Sequence, residues 1–479
     1  MKGLDFLVRP SFVIGIEENM ETFRRVLKSK TVREAFENIP QNFYSLAAMI
    51  IAIISSSVPA MLFLTGWVDM KSYIGLIACK LIYTGAILTV MLGILYFANY
   101  AFSHKDKGVK AFLSRHYLVI IAVVIMAWTF ISTCITGLNT DTVWGNDIQQ
   151  EGIMMYISYF ILFCCGMMIK ESKHKRYVLN WIVIQSLVIM VFLFIQDKFG
   201  VRMLTFTSAG NNWRSAVFPH FNHYGYFLVI TVLILSGLFL TEKRFPLKLA
   251  EASGIAFLSW ALIWNTSFGS FLAVIFGFVM LIVVFSLCKG KFECSALIPA
   301  AVFAAVLIAM ALTGQTNVFS DFAQLNHDVG AIATGSSDAA YAGTSRWGLW
   351  VSTARCIAEK PIFGWGPNGI ADIIMAEGGA TRTHNEFLQY TAFFGIPWLI
   401  AYLVLIFAVF IRGLKHRKAL SAEEKIALVA AFGYLVSSFT GVSLYSVAPF
   451  LYILLGLGVH HVSENNTGEP VLPSSESGD

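Results

Sequence analysis

Long apolar runs separated by short polar connections organise nearly the whole chain. Crossing a bilayer core takes roughly 20 apolar residues in helical form. On that spacing the sequence predicts spans at residues 43–64, 73–99, 117–138, 153–169, 177–196, 221–240, 249–265, 268–288, 296–313, 386–411, 426–441 and 446–462. Backbone polar groups in lipid must be satisfied within the segment, which leaves helices or closed barrels, and these continuous runs are not the alternating pattern of barrel strands. The expected fold is all-α, a polytopic membrane protein of about twelve transmembrane helices.

Charge orients the bundle. The N-terminal segment and the connections 101–116 (Lys105, Lys107, Lys110, Arg115), 170–176 (Lys170, Lys173, Lys175, Arg176), 241–248 and 412–425 (Arg412, Lys415, Arg417, Lys418, Lys425) are basic, and the alternate connections are poor in Lys and Arg. The positive-inside rule then predicts both termini in the cytoplasm. The expected organisation is a cytoplasmic segment at 1–42, transmembrane helices 1–9 across 43–313, a large extracytoplasmic loop at 314–383, transmembrane helices 10–12 across 384–462 and a disordered cytoplasmic tail at 463–479. The first forty residues are polar and basic (Arg24, Arg25, Lys28, Lys30, Arg33), so the first apolar run reads as a signal anchor rather than a cleaved signal peptide.

Composition narrows the function classes. The chain is 57% hydrophobic and 13% charged, against about 25% charged in globular proteins. That excludes a soluble enzyme, a disordered scaffold and a nucleic-acid-binding domain. The predicted spans hold almost no ionisable side chains, Lys80 being the main exception, whereas ion-coupled transport calls for carboxylates near the midplane. The seven cysteines form no CxxC and no Cys/His zinc spacing, and read as inert packing residues.

A loop as long as 314–383 on a compact bundle is disordered or functional, and its aromatic content favours order. Trp347, Trp350, Val351, Ala354, Ile357 and Ala358 recur at helical spacing, with Ser352, Arg355 and Glu359 opposite, which predicts an amphipathic helix. Thr344 or Ser345 is placed to cap its start, and Pro361 followed by Gly364 ends it.

The candidate chemistry lies on the same side as this loop. Arg214, beside a membrane entry point, reads as a headgroup anchor or as a phosphate ligand, because guanidinium binds phosphate oxygens bidentately. His220 and His223 are near it but have no carboxylate partners to make a metal site. Arg346 falls in the first turn of the loop helix, where a cation opposes the helix dipole unless an anion joins it. His384 and Asn385 follow Arg382 and Thr383 at the start of the tenth predicted span. The dipole there favours a neutral imidazole, which suits a general base or, more plainly, an interfacial histidine. Two arginines and a histidine without a metal motif fit sugar transfer from a lipid diphosphate. The arginines meet the charge of the leaving group and the histidine takes the proton of the attacking hydroxyl. No DxD pair occurs, and no cofactor is called for.

These residues carry a resemblance. Thr344-Ser345-Arg346-Trp347-Gly348-Leu349-Trp350, then Pro361-Ile362-Phe363-Gly364-Trp365-Gly366, then His384-Asn385-Glu386-Phe387-Leu388 and Gly395 resemble the signature of the O-antigen ligase family, which also includes polysaccharide polymerases and protein O-oligosaccharyltransferases. The run Arg214, Phe218, Asn222, Gly225 looks like the family's earlier arginine motif, and Thr266-Ser267-Phe268-Gly269-Ser270 like its small-residue break between spans. The resemblance implies a metal-independent, GT-C-like glycosyltransferase in the bacterial plasma (inner) membrane, active at its outer face. Its donor would be an undecaprenyl-diphosphate-linked glycan and its acceptor a glycan or glycolipid. Carried over by position, Arg214 and Arg346 would bind the diphosphate and His384 would activate the acceptor hydroxyl, with inversion at the anomeric carbon. Asn385, Trp350, Ser345, Arg382 and Asn222 are the candidate substrate-binding residues around them. Ligase and polymerase share these motifs, and a lipid-linked glycan flippase or a non-catalytic assembly partner stands as the alternative from another class. The base role predicts that activity falls as pH drops through the pKa of His384.

Overall fold

A computed structural model describes residues 24–65, 71–103, 109–146, 150–200 and 213–461. The expected tail at 463–479, residues 1–23 of the N-terminal segment, and Lys105, Lys107, Asn211 and Asn212 lie outside those residues. Among the described residues there are helices and no strands. The first half comprises α1 (Val32–Glu37), α2 (Gln41–Ser55), α3 (Val58–Thr65), α4 (Lys71–Ser103), α5 (Val109–Thr136), α6 (Thr140–Trp144), α7 (Ile153–Met168), α8 (Ser172–Phe199) and α9 (Phe221–Thr241). Then come α10 (Phe245–Asn265), α11 (Phe268–Lys289), α12 (Leu297–Leu312), α13 (Val318–Thr334), α14 (Arg346–Glu359), α15 (Ala371–Gly378), α16 (Glu386–Phe394), α17 (Ile396–Lys415), α18 (Ala422–Ser437) and α19 (Ala448–Leu457).

Eight helices among the described residues are long and apolar enough to cross a membrane, and α2 with α3 makes a further bent pair, broken by 42°. The protein is thus a polytopic helical membrane protein. The predicted run 386–411 is not one helix, because Gly395 at φ 86° separates α16 from α17. The last two predicted runs are helices, α18 and α19, but short ones whose apolar residues serve the centre of the bundle: every residue of α19 is buried. The helix α9 is almost entirely buried as well. Peripheral helices such as α4 and α5 leave Ile87, Ile94, Val123, Val124 and Phe130 exposed, the apolar outer faces that a lipid-embedded bundle presents.

The basic connections gather at one end. Asn99 donates to the Phe36 carbonyl, Ser45 bonds His174 at 2.8 Å, Arg176 reaches Thr241 at 3.0 Å and Arg412 donates to the His460 carbonyl at 2.8 Å. The alternate connections meet at the opposite end, where Asn265 bonds the Arg214 carbonyl and Asn385 the Phe439 carbonyl. At the basic end α8 begins within the predicted connection 170–176 and carries Lys175 inward, where it pairs with buried Glu424 at 2.7 Å. Each charge offsets the desolvation of the other.

The long loop folds into α13, a short 3-10 turn (Ser337–Tyr341), α14 and α15, where a single amphipathic helix was expected. The segment between α14 and α15 closes the break between α16 and α17. Ile396 N–H donates to Pro361 O at 2.8 Å, Trp365 N–H to Ala392 O at 2.8 Å and Gly366 N–H to Phe393 O at 2.9 Å. These bonds satisfy the backbone groups that a broken helix frees. The chains run so close that a Cβ on Gly395 would collide with the Ile362 carbonyl, and one on Gly364 with that of Phe393. Both motif glycines are therefore required by space as well as by positive φ.

Candidate active site

His384 is held from both sides. Asn385 caps α16, accepting the Leu388 N–H at 3.0 Å and donating to Phe439 O at 3.2 Å. Thr383 Oγ1 donates to Asn385 O at 2.7 Å, and Glu386 N–H donates to Ser438 O at 3.0 Å. The Asn385 side chain is thus committed to the scaffold. Between these tethers His384 adopts φ 51°, a left-handed conformation that a Cβ-bearing residue keeps only when its surroundings enforce it. Its Nδ1 is buried and makes no hydrogen bond. Burial pulls the imidazole pKa down to about 4, with Arg346 and His220 adding to the fall. The sequence suggested the same direction from the helix dipole, but burial is the leading cause.

Arg346 opens α14 from a strained turn. Gly343, Thr344 and Ser345 stand in succession at φ 62°, 58° and 68°. Ser345 occupies the N-cap position but makes no capping bond, and Thr344 Oγ1 turns to Gly343 O at 2.6 Å. The expected cap is therefore absent, because a left-handed N-cap residue does not aim its side chain at the first free N–H groups. The turn is held instead by backbone bonds, Ser345 N–H to Tyr341 O at 2.9 Å and Trp347 N–H to Ala342 O at 3.2 Å, and by the Asp328 carboxylate, which accepts the Gly343 N–H at 2.8 Å. Burial lowers the Arg346 pKa.

The face that α14 buries is not the one its apolar spacing predicted. Leu349, Ser352, Thr353 and Cys356 are buried, while Ala354 and Ala358 are exposed. The helix is rotated because α15 and α16 both pack against it, and Ser352 bonds Glu377 of α15. Trp350 turns inward with its indole N–H buried and unbonded.

Arg214 lies in a 3-10 turn (Trp213–Ser215) locked onto the break between α10 and α11. Asn265 Nδ2 donates to the Arg214 carbonyl at 2.6 Å, and the Arg214 guanidinium donates to Thr266 Oγ1 at 3.0 Å. Thr266 is itself left-handed at φ 60°. Asn222 Oδ1 accepts from Ser267 Oγ at 3.1 Å, so this candidate substrate contact already serves the same junction. His220 caps α9 by accepting the Asn222 N–H at 3.2 Å, and burial followed by the Arg346 charge lowers its pKa.

The structure thus brings His384, Arg346 and His220 into one electrostatic neighbourhood, with Arg214 on the adjoining junction. Arg382 is not in the open part of that neighbourhood. It is buried against Glu151, Nη2 to Oε2 at 3.5 Å. Sequence reading passed over Glu151 and Glu386, both buried carboxylates; Glu386 accepts the Tyr434 hydroxyl at 3.0 Å directly after the His-Asn pair. The available signal was an acidic residue at the border of an apolar run, a position where water would ordinarily be sought.

Residues 253–403 match a family model described as O-Antigen ligase. Among curated proteins, none matches the chain. The matched stretch contains Thr266, Arg346, Arg382 and His384, and Arg214 is bonded to it from outside through Thr266 and Asn265.

Proposed function

Taking as premise that the chain belongs, through residues 253–403, to the O-antigen ligase family, we propose that it is a glycosyltransferase of the bacterial plasma membrane. It moves a glycan from an undecaprenyl-diphosphate carrier to an acceptor hydroxyl at the outer face. The observation that carries this reading is a neutral imidazole, unbonded at Nδ1, lying within the electrostatic reach of half-buried Arg346.

In the reaction, the acceptor hydroxyl gives its proton to His384 as its oxygen attacks the anomeric carbon. The bond from that carbon to the diphosphate oxygen breaks, and the electron pair leaves with the diphosphate. Arg346 and Arg214 meet the growing negative charge. One displacement inverts the anomeric centre. A positioned base contributes about 10²–10⁴-fold and a preorganised charge partner about 10²–10³-fold. Arg382, spent on Glu151, belongs to the scaffold behind His384 rather than to the donor contacts.

The acceptor is either another lipid-linked repeat unit, which makes the protein a polymerase, or a separate glycan or glycolipid, which makes it a ligase. Loss of the protein from its host, with lipid-linked glycans resolved by size, separates the two. Single units accumulate if it is a polymerase, and full-length polymer stays on the carrier if it is a ligase. An unchanged pool would overturn the transferase reading and favour a non-catalytic role. Purified His384→Ala protein transferring glycan at the wild-type rate would overturn the base assignment.

A further inference from the structure

We propose that Glu151 is a positioning residue for the transfer: it holds Arg382, and through Arg382 it sets the left-handed turn that presents His384. The role assigned to His384 rests on the reading above; the coupling between Glu151 and the His384 turn does not.

Glu151 is fully buried just ahead of α7. Its backbone is fixed by crowding. A Cβ on Gly145 would collide with the Glu151 nitrogen, and one on Gly152 with the Val143 carbonyl group. The residue before it, Gln150, is left-handed at φ 55°. Oε1 accepts the Tyr159 hydroxyl at 2.6 Å, and Oε2 faces Arg382 Nη2 at 3.5 Å. The guanidinium also reaches the Tyr156 hydroxyl at 3.5 Å and lies over the Phe393 ring, 5.6 Å from its centroid. One ion pair therefore joins two strained turns, residues 150–152 and 382–385, that are far apart in sequence.

Stability alone does not account for such a pair, because replacing a buried ion pair by packed apolar groups is often neutral or stabilising. Geometry does. A Cβ-bearing residue stays at positive φ only when neighbours over-determine it, and Arg382 is two residues from His384. A direct donor role for Arg382 fits less well, since its side chain is 8% exposed and an incoming diphosphate would meet the Glu151 carboxylate behind it.

The test uses the full-length protein in lipid nanodiscs. Glu151→Gln keeps shape and removes charge. It is expected to lower kcat by about 10–100-fold, the cost of misplacing a reacting group, with donor KM little changed. The double variant Glu151→Gln with Arg382→Gln buries no unpaired charge and serves if the single variant does not fold. Its kcat is expected to equal that of Arg382→Gln alone, because the two residues act as one unit. A readout independent of turnover is the rate at which diethyl pyrocarbonate modifies His384, followed on its peptide by mass spectrometry. That rate is expected to rise severalfold, and alike, in all three variants.

Wild-type kcat in Glu151→Gln, a loss confined to donor KM, losses that multiply in the double variant, or unchanged His384 modification would each overturn the proposal. Wild-type protein inactive with every lipid-linked donor would overturn the transferase reading instead, and the His384 modification rate would still decide the coupling.

Discussion

The two ends of the bundle differ in how their backbones are held. At the basic end, Glu424 has both carboxylate oxygens engaged: Lys175 at 2.7 Å on one, the Ser421 N–H at 2.9 Å and His460 at 3.1 Å on the other. At the loop end, His384 Nδ1, Trp350 Nε1, both amide atoms of Asn368 and Arg382 Nη2 are buried without hydrogen bonds. Unbonded buried atoms occur at the basic end too, Asn42 Oδ1, Glu251 Oε2 and His461 Nε2 among them, so what divides the ends is backbone strain. Among the described residues the non-glycine positions at positive φ are Gln150, Ala216, Thr266, Thr344, Ser345, Asn368 and His384, all at the loop end. The protein gathers its backbone strain at the end where the candidate chemistry lies. The inference runs from these outliers to function.

Breaking the contrast at its centre should have the largest effect. Replacing His384 by Ala is expected to lower kcat by about 10²–10⁴-fold, and Arg346→Ala by about 10²–10³-fold, both without loss of folded protein in a thermal-shift assay. The basic end should answer in the opposite currency. Lys175→Met leaves Glu424 buried without its cation and should destabilise by about 3–5 kcal/mol. It shows as a lower unfolding temperature, while turnover per folded molecule is preserved. Equal losses of turnover from both ends would erase the distinction.

Smaller effects sharpen it. Ser421 and Ser345 occupy the same position at the start of α18 and α14, but only Ser421 makes a capping box, with Glu424. Ser421→Ala should cost about 1 kcal/mol, whereas Ser345→Gly, which relieves a left-handed Cβ, should be neutral or stabilising by up to about 1 kcal/mol. Chemical unfolding of the two variants compares them directly. The smallest effect is in the pH profile. With free His384 near pKa 4, kcat/KM should stay flat between about pH 5 and 8 and fall only below. The acid limb of kcat should lie higher, because a bound diphosphate offsets the Arg346 charge and makes the imidazole easier to protonate. An acid limb of kcat/KM centred near 6.5 would show instead a His384 that burial and Arg346 do not depress.

Periodicity carried the fold far: most runs predicted from apolar spacing are helices here, and the basic connections do share an end. It failed where tertiary contacts overrode spacing. α14 buries Ser352 and leaves Ala354 and Ala358 of its predicted apolar face exposed because two helices press on it, and Gly395 breaks a run that hydropathy reads as continuous. The residues that converge, Arg346 and His384, were legible as polar motifs beside membrane entries. Glu151 was not, because its partner Arg382 is distant in sequence and only the folded bundle makes a neighbour of it. The left-handed turn before α14 was equally hidden, since Thr344 and Ser345 are residue types that do not announce positive φ.

The tether between residues 383–386 and the Ser438–Phe439 turn also sets an order of events during synthesis. Every earlier piece of the site, from Glu151 to His384, is made and inserted before the segment that fixes it exists. Until residue 439 has left the ribosome, the His384 turn has no anchor on its C-terminal side. A nascent chain should therefore acquire its reactive geometry only in the last stage of translation, when α18 and α19 thread into a bundle already standing around them.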